Sequence, residues 1–167
     1  AENSLHIIST KFSTKYKERT PTNLKAIGKE LDNIIKASVK GVAIFFPSYN
    51  VMNAIVPLMK TRPLVVQKEK STPFDIERLL ERFKKDGTMC AVQGGSLAEG
   101  VDYKYGEIKT AVIVGLALEE PTLETKALIK YYDNKFGTGW EYGYIYPAIS
   151  KAIQSAGRGQ RKETDKI

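Results

Sequence analysis

Apolar positions along this chain keep two periods, and segments of the two periods alternate. Leu5–Ser9 is a short apolar run that reads as a strand, and Thr10–Thr20 after it is polar and basic. Thr22–Lys40 places Leu24, Ile27, Leu31, Ile34 and Ile35 at helical spacing, which predicts an amphipathic helix ended by Gly41. Val42–Phe46 is continuously apolar, as expected for a strand covered on both faces. Pro47 and Ser48 break it, and a helix follows over Tyr49–Met59, with Pro57 placed to end it early. Leu64–Gln67 is another short strand. Ser71-Thr72-Pro73 is a helix start: a hydroxyl cap, a proline in the first turn, then Asp75 and Glu77 at the positive end of the dipole. Ile76, Leu79, Leu80 and Phe83 form that helix's apolar face, and Asp86-Gly87 turns the chain. Thr88–Gln93 reads as a strand, Gly94–Glu107 as a glycine-rich loop and Thr110–Leu116 as a strand. Pro121–Lys135 is a helix with Leu123, Ala127, Leu128 and Tyr131 on one side. Phe136–Gly143 is an aromatic, glycine-rich loop, and Tyr144–Ser155 is the last clear helix.

Strands alternating with helices, and continuous rather than alternating strands, predict an α/β fold in three layers. A mainly parallel sheet should carry helices on both faces. Such sheets bind ligands at the carboxyl ends of their strands. That rule points at Pro47–Tyr49, at Gln93–Asp102 and at the loop after Gly115.

Three stretches at those ends and at the C-terminus carry candidate chemistry. In Gln154–Arg161, Gln154, Arg158 and Arg161 stand at i, i+4 and i+7. If the last helix continues this far, they share one face. One amide and two planar cations suit a phosphate better than a carboxylate. Gly157 and Gly159 flank the first arginine, each costing roughly 1 kcal/mol relative to alanine inside a helix. That suggests close approach to the backbone; the plainer alternative is a frayed basic helix end capped by Gly157. In Gln93–Tyr103, Gly94, Gly95 and Gly100 let backbone amides approach a ligand, Ser96 offers a hydroxyl, and Glu99 and Asp102 offer carboxylates. A tight surface turn with solvated acids is the alternative. Neither the G-x-G-x-x-G spacing nor a G-x-x-x-x-G-K-[ST] loop occurs in the chain. In Phe46–Tyr49, Ser48 and Tyr49 offer a hydroxyl and an aromatic to a nucleic-acid backbone or base, or else a helix cap and a packing ring. Trp140, Tyr142, Tyr144 and Tyr146 read as an aromatic cover over the sheet, with a stacking platform as the alternative.

Composition narrows the classes. A chain of 167 residues that is 42% apolar can bury its own core as one domain. Its net charge of +7 favours a polyanionic partner. The single cysteine, Cys90, excludes an internal disulfide and any multi-cysteine metal site, and suggests a reducing compartment. Cys90 itself reads as a small core residue. No apolar run is long enough to span a membrane.

Taken together and in this order, Val42–Tyr49, Gln93–Tyr103 and Gln154–Arg161 resemble motifs IV, V and VI of the XPD/DinG-like branch of superfamily 2 DNA helicases. The resemblance covers nearly the whole chain. Leu5–Arg19 looks like the segment that opens the second motor domain of those proteins. Gln154, Gly157, Arg158 and Arg161 fall on the Q-x-x-G-R-x-x-R pattern of motif VI, the most specific of the three. Gln160 departs from it, standing where an apolar residue is usual.

The resemblance implies a single RecA-like domain over residues 1–167, the second motor domain of a longer chain. ATP and Mg²⁺ would be shared with a first motor domain, which also carries an iron–sulfur insertion. Arg158 and Arg161 would be arginine fingers on the γ-phosphoryl, and Gln154 would orient the phosphate or the attacking water. Glu99, Gly100 and Asp102 would couple nucleotide to DNA. Ser48, Tyr49 and Ser96 would touch single-stranded DNA. The full protein would be an ATP-dependent helicase moving 5′ to 3′ in DNA repair, cytoplasmic in an archaeon or bacterium and nuclear in a eukaryote. This chain alone would be inactive. The alternative from another class is a stand-alone, non-enzymatic nucleic-acid-binding module.

Overall fold

The computed structural model describes residues 5–101, 103, 107–118 and 120–159. Its sheet is made of β1 (Val42–Phe46), β2 (Val65–Val66), β3 (Thr88–Val92) and β4 (Thr110–Ile113), in the order β2-β3-β1-β4. Every pairing is parallel, with Ile44 opposite both Cys90 and Val112. β1 is central and buried throughout, so both of its faces need apolar side chains.

Strand alternation divides those faces. Val42, Ile44 and Phe46 point to one core, filled by α1 (Pro21–Ala37) and α2 (Tyr49–Ile55) through Ile27, Leu31, Met52 and Ile55. Ala43 and Phe45 point to a second core with α3 (Pro73–Asp86), through Ile76, Leu79 and Phe83. The result is three layers, as the continuous strands imply. Caps set the helix starts. Thr20 accepts from the Asn23 amide, Ser48 from Val51, and Thr72 forms a capping box with Asp75. Cys90 lies in the first core, where burial pushes its thiol up to about 12. Asp32 ties α1 to the turn after Leu58: its carboxylate accepts from the Lys60 and Thr61 amides and the Thr61 hydroxyl at 2.6–2.9 Å. Burial alone would raise its pKa, but these bonds and the Lys36 charge hold it below the ordinary value.

Several expectations are corrected. Leu5–Ser9 has no sheet partner among the described residues, and Ile8 is 89% exposed. Short apolar runs carry no information about whether an edge is available to pair. Gly94–Glu107 is not wholly loop, since Ser96–Glu99 closes one helical turn, α4. Nor is Phe136–Gly143. A π-helical turn, Glu141–Ile145, runs directly into α6 (Tyr146–Ala156). Trp140 on Tyr144 and Tyr142 on Tyr146, each four residues apart, hold that turn helical despite Gly143. Among the described residues these rings pack on one another and on Tyr132 and Phe136, and none belongs to either core of the sheet, where an aromatic cover was expected. α5 (Leu123–Phe136) buries no residue, and Leu123 is 85% exposed. Periodicity shows which face is apolar, not what covers it. Among the described residues no helix is long and apolar enough to cross a membrane.

Candidate functional site

The carboxyl ends of β1, β3 and β4 are stitched by one buried side chain. Gln93 follows β3; its backbone amide donates to the Phe46 carbonyl at 2.9 Å. Its side-chain Nε2 donates to the Gly115 carbonyl at 2.7 Å and to the Phe45 carbonyl at 3.4 Å. A second buried glutamine, Gln67, sits beyond β2. Its Oε1 accepts from the Val92 amide and its Nε2 donates to Ser96 Oγ, both at 3.2 Å. These bonds tie the carboxyl ends of the strands to one another, while Gln93 Oε1 is buried with no hydrogen bond among the described residues. Sequence reasoning assigned neither glutamine a role; an amide at the end of an apolar strand was the available signal.

α4 grows from this edge. The Ala98 and Glu99 amides donate to the Gly95 carbonyl, and the Gly100 amide to that of Ser96. Gly95 is required by space: a Cβ there would lie 2.8 Å from Val92 Cγ2 and 3.2 Å from Gln67 Nε2. Below α4, Tyr103 is fully buried and donates its hydroxyl to the Leu97 carbonyl at 2.8 Å. Burial is the main reason its phenol is held well above the usual tyrosine value.

α6 does not continue to Arg161. It ends at Ala156, and Gly157–Gly159 is a 3₁₀ turn, so the i, i+4, i+7 face is not one α-helical face. The turn aims Arg158 at α4. Its Nε donates to the Ala98 carbonyl, its Nη2 to that of Glu99 at 2.8 Å, and its Nη1 to that of Val101 at 3.3 Å. These are carbonyls at and just past the end of a helical turn, where a cation is favoured. A guanidinium has five N–H donors. Three are used among the described residues, leaving two without a partner there.

The expected site residues thus separate. Arg158 is joined to the Glu99–Gly100 turn. Glu99, Gly100 and Gln154 are exposed, and the Gln154 side chain has no hydrogen bond among the described residues. Lys151 runs beside Gly94, its Cδ 3.8 Å from where a Gly94 Cβ would be, with Glu99 Oε1 at 3.6 Å from that point. Ser48 and Ser96 both accept hydrogen bonds, from the Val51 amide and Gln67, and among the described residues neither hydroxyl donates one. The Tyr49 hydroxyl reaches the Lys68 carbonyl at 3.4 Å; burial and then the Glu69 charge hold its pKa above the ordinary value. Asp102 and Arg161 lie outside the described residues.

A protein family described as Helicase C-terminal domain matches residues 31–166. The chain belongs to this helicase C-terminal domain family. It is 26% identical over 155 residues to an ATP-dependent DNA helicase CHL1 of Coccidioides immitis, covering 77% of this chain and 18% of that protein. It is 26% identical over 163 residues to the ATP-dependent DNA helicase XPD of Sulfolobus acidocaldarius, covering 95% of this chain and 29% of that one. A solved XPD helicase superposes with a TM-score of 0.77 at 26% identity, over 93% of this chain and 29% of that chain. The chain therefore spans less than a third of each of these relatives. The parallel sheet and its flanking helices are the RecA-like α/β fold of an XPD-like helicase C-terminal motor domain. Within this fold, Arg158 is bonded to the main chain of the Ala98–Val101 turn.

Proposed function

We propose that this helicase C-terminal domain is the second motor domain of an ATP-dependent 5′–3′ DNA helicase of the XPD type, working in DNA repair. The observation that carries the reading is the Arg158 guanidinium on the Ala98, Glu99 and Val101 carbonyls. An arginine so held has a fixed plane and, among the described residues, two N–H donors left for a phosphoryl oxygen. It also makes any shift at the phosphate a shift of α4, and so of Ser96 on the DNA side. Arg158 and Arg161 stabilise charge on the γ-phosphoryl of ATP held mainly by a first motor domain. Gln154, exposed on the last turn of α6, orients the phosphate or the attacking water. Glu99, Gly100 and Asp102 pass the nucleotide state to the DNA edge.

Among the described residues no three His, Cys, Asp or Glu side chains converge as a metal-holding group, and no residue here is assigned to Mg²⁺. Mg²⁺ and an iron–sulfur cluster are assigned to the first motor domain and its insertion. The chain alone is inactive in this reading.

On the DNA side, Ser48 and Ser96 donate their hydroxyl protons to phosphates, and Tyr49 offers a ring beside them. The test is single-stranded DNA binding by the chain. Tyr49→Ala should weaken an oligonucleotide about 5- to 100-fold, the range for one lost base–aromatic stack, without unfolding the domain. Unchanged affinity would make Tyr49 a packing residue and remove motif IV from the DNA contact.

A further inference from the structure

We propose that Lys11–Arg19 is a second single-strand-binding element, a prefolded basic strap that grips the DNA backbone at the carboxyl edge of the sheet. The proposal rests on the nucleic-acid reading above and adds a site to it. The segment has almost no regular structure, only a 3₁₀ turn at Tyr16–Glu18. It is nevertheless fixed. Phe12 packs against the first core. Asn23, in the first turn of α1, donates its Nδ2 to the Ser13 carbonyl at 2.7 Å and to the Glu18 carbonyl at 2.8 Å. Arg19 donates its Nε to the Thr14 carbonyl at 2.9 Å.

The pinned strap lies on the sheet's carboxyl edge. Thr14 covers Gly115: a Cβ at Gly115 would fall 2.1 Å from Thr14 Oγ1, and the glycine has φ +71°. Any other residue would push the strap off. Gly115 is also the residue whose carbonyl receives Gln93, and Gln93 is bonded to Phe45 and Phe46, two residues before Ser48. The strap and the motif IV loop thus share one edge.

What the strap presents is cationic and aromatic. Residues 11–19 contain Lys11, Lys15, Lys17 and Arg19 against the single acid Glu18. The three lysines are exposed and have no ion pair among the described residues. Tyr16 is 85% exposed, with the Arg19 guanidinium 5.7 Å from its ring centroid. An exposed ring backed by a cation, flanked by unpaired lysines on a fixed backbone, is how a single strand is held without reading its sequence. The large aromatic surface of α5 and α6 is a poorer candidate. From 120 to 146 it carries Glu120, Glu124, Asp133 and Glu141 against Lys126, Lys130 and Lys135, so it has no excess of positive charge.

The test measures binding of a fluorescein-labelled oligodeoxythymidylate by the chain over a range of salt. Lys15→Gln/Lys17→Gln should weaken binding and reduce the slope of log K against log salt by about 1.4, about 0.7 for each lysine. Tyr16→Ala should cost about 5- to 100-fold. The charge-matched control Lys126→Gln/Lys130→Gln should leave both affinity and slope close to wild type. Thermal melts of the strap and control variants should coincide with wild type, because Lys15, Tyr16, Lys17, Lys126 and Lys130 are all exposed. If the two lysine pairs lose equally, the attraction is diffuse and the strap is no site. If Tyr49→Ala weakens binding while all strap variants do not, the motif IV reading stands and this proposal fails. If wild type binds no oligonucleotide, both fail. If polyglutamate of equal charge competes as well and Tyr16→Ala is silent, the strap takes acidic peptides and the proposal is overturned.

Discussion

Replacing Arg158 by alanine in the full-length protein is expected to lower DNA-stimulated ATP turnover about 10³–10⁵-fold, the worth of a cation acting on a phosphoryl transition state. The two guanidinium N–H groups that have no partner among the described residues can meet a developing charge without reorganising, because the other three, on the Ala98, Glu99 and Val101 carbonyls, hold the plane fixed. Alanine also frees α4 from the 3₁₀ turn, so coupling to the Ser96 edge is lost along with charge. Nucleotide binding should fall much less, since other groups hold the phosphates. Arg158→Lys should rescue poorly: one ammonium cannot hold three carbonyls and also present a planar pair of donors. Lys126→Gln, on exposed α5, is the charge control and should turn over normally. Steady-state kcat and KM for the three variants check this. If Lys126→Gln loses as much as Arg158→Ala, the effect is diffuse electrostatics and the finger role is wrong.

Phe45→Ala is expected to destabilise the domain by about 3–5 kcal/mol, a large share of the roughly 5–15 kcal/mol that holds a domain together. Phe45 is fully buried on the central strand, opposite Ala91 and Ile113. Its ring fills a core shared with Phe83, Met89, Leu97 and the small residues Ala43, Ala91 and Ala98. The methyl groups of those alanines have no rotamers with which to fill the space, so the cavity closes only in part. The Phe45 carbonyl also accepts from the Val114 amide and from Gln93, so a shift of β1 loosens the functional edge. Phe74→Ala is the comparison. That ring is 64% exposed, and its loss should cost less than about 0.5 kcal/mol. Urea denaturation should show a lower midpoint for Phe45→Ala at an unchanged slope. Equal midpoints for the two variants would contradict the assigned core.

The layered fold was legible because burial on both faces leaves a mark that one residue cannot hide. Val42–Phe46 and Thr88–Val92 are apolar at every or nearly every position, and only a central parallel strand needs that. Thr72, Pro73 and Asp75 marked a helix start by chemistry that works within one turn. Leu5–Ser9 and α5 misled for a shared reason: an apolar pattern records a preference for burial and says nothing about a partner. At the site, spacing brought Arg158 and Glu99 under suspicion but gave the wrong geometry. Gly157 and Gly159 end the α-helix, and it is the 3₁₀ turn, not a continued face, that aims Arg158 at α4. Gln67 and Gln93 left only one signal, an amide at the end of an apolar strand, because their partners are main-chain groups and a serine hydroxyl brought near only by the folded sheet.

The central claim is that this domain supplies half of an ATP site. DNA-stimulated ATP hydrolysis, measured side by side on the 167-residue chain and on the full-length protein, tests it most directly. With no G-x-x-x-x-G-K-[ST] loop in its sequence, the chain has no cradle for the β- and γ-phosphates. The account predicts no turnover by the chain at any DNA concentration and DNA-stimulated turnover by the full protein. Turnover by the pure chain, or a full-length protein that binds single-stranded DNA and never hydrolyses ATP, would contradict it.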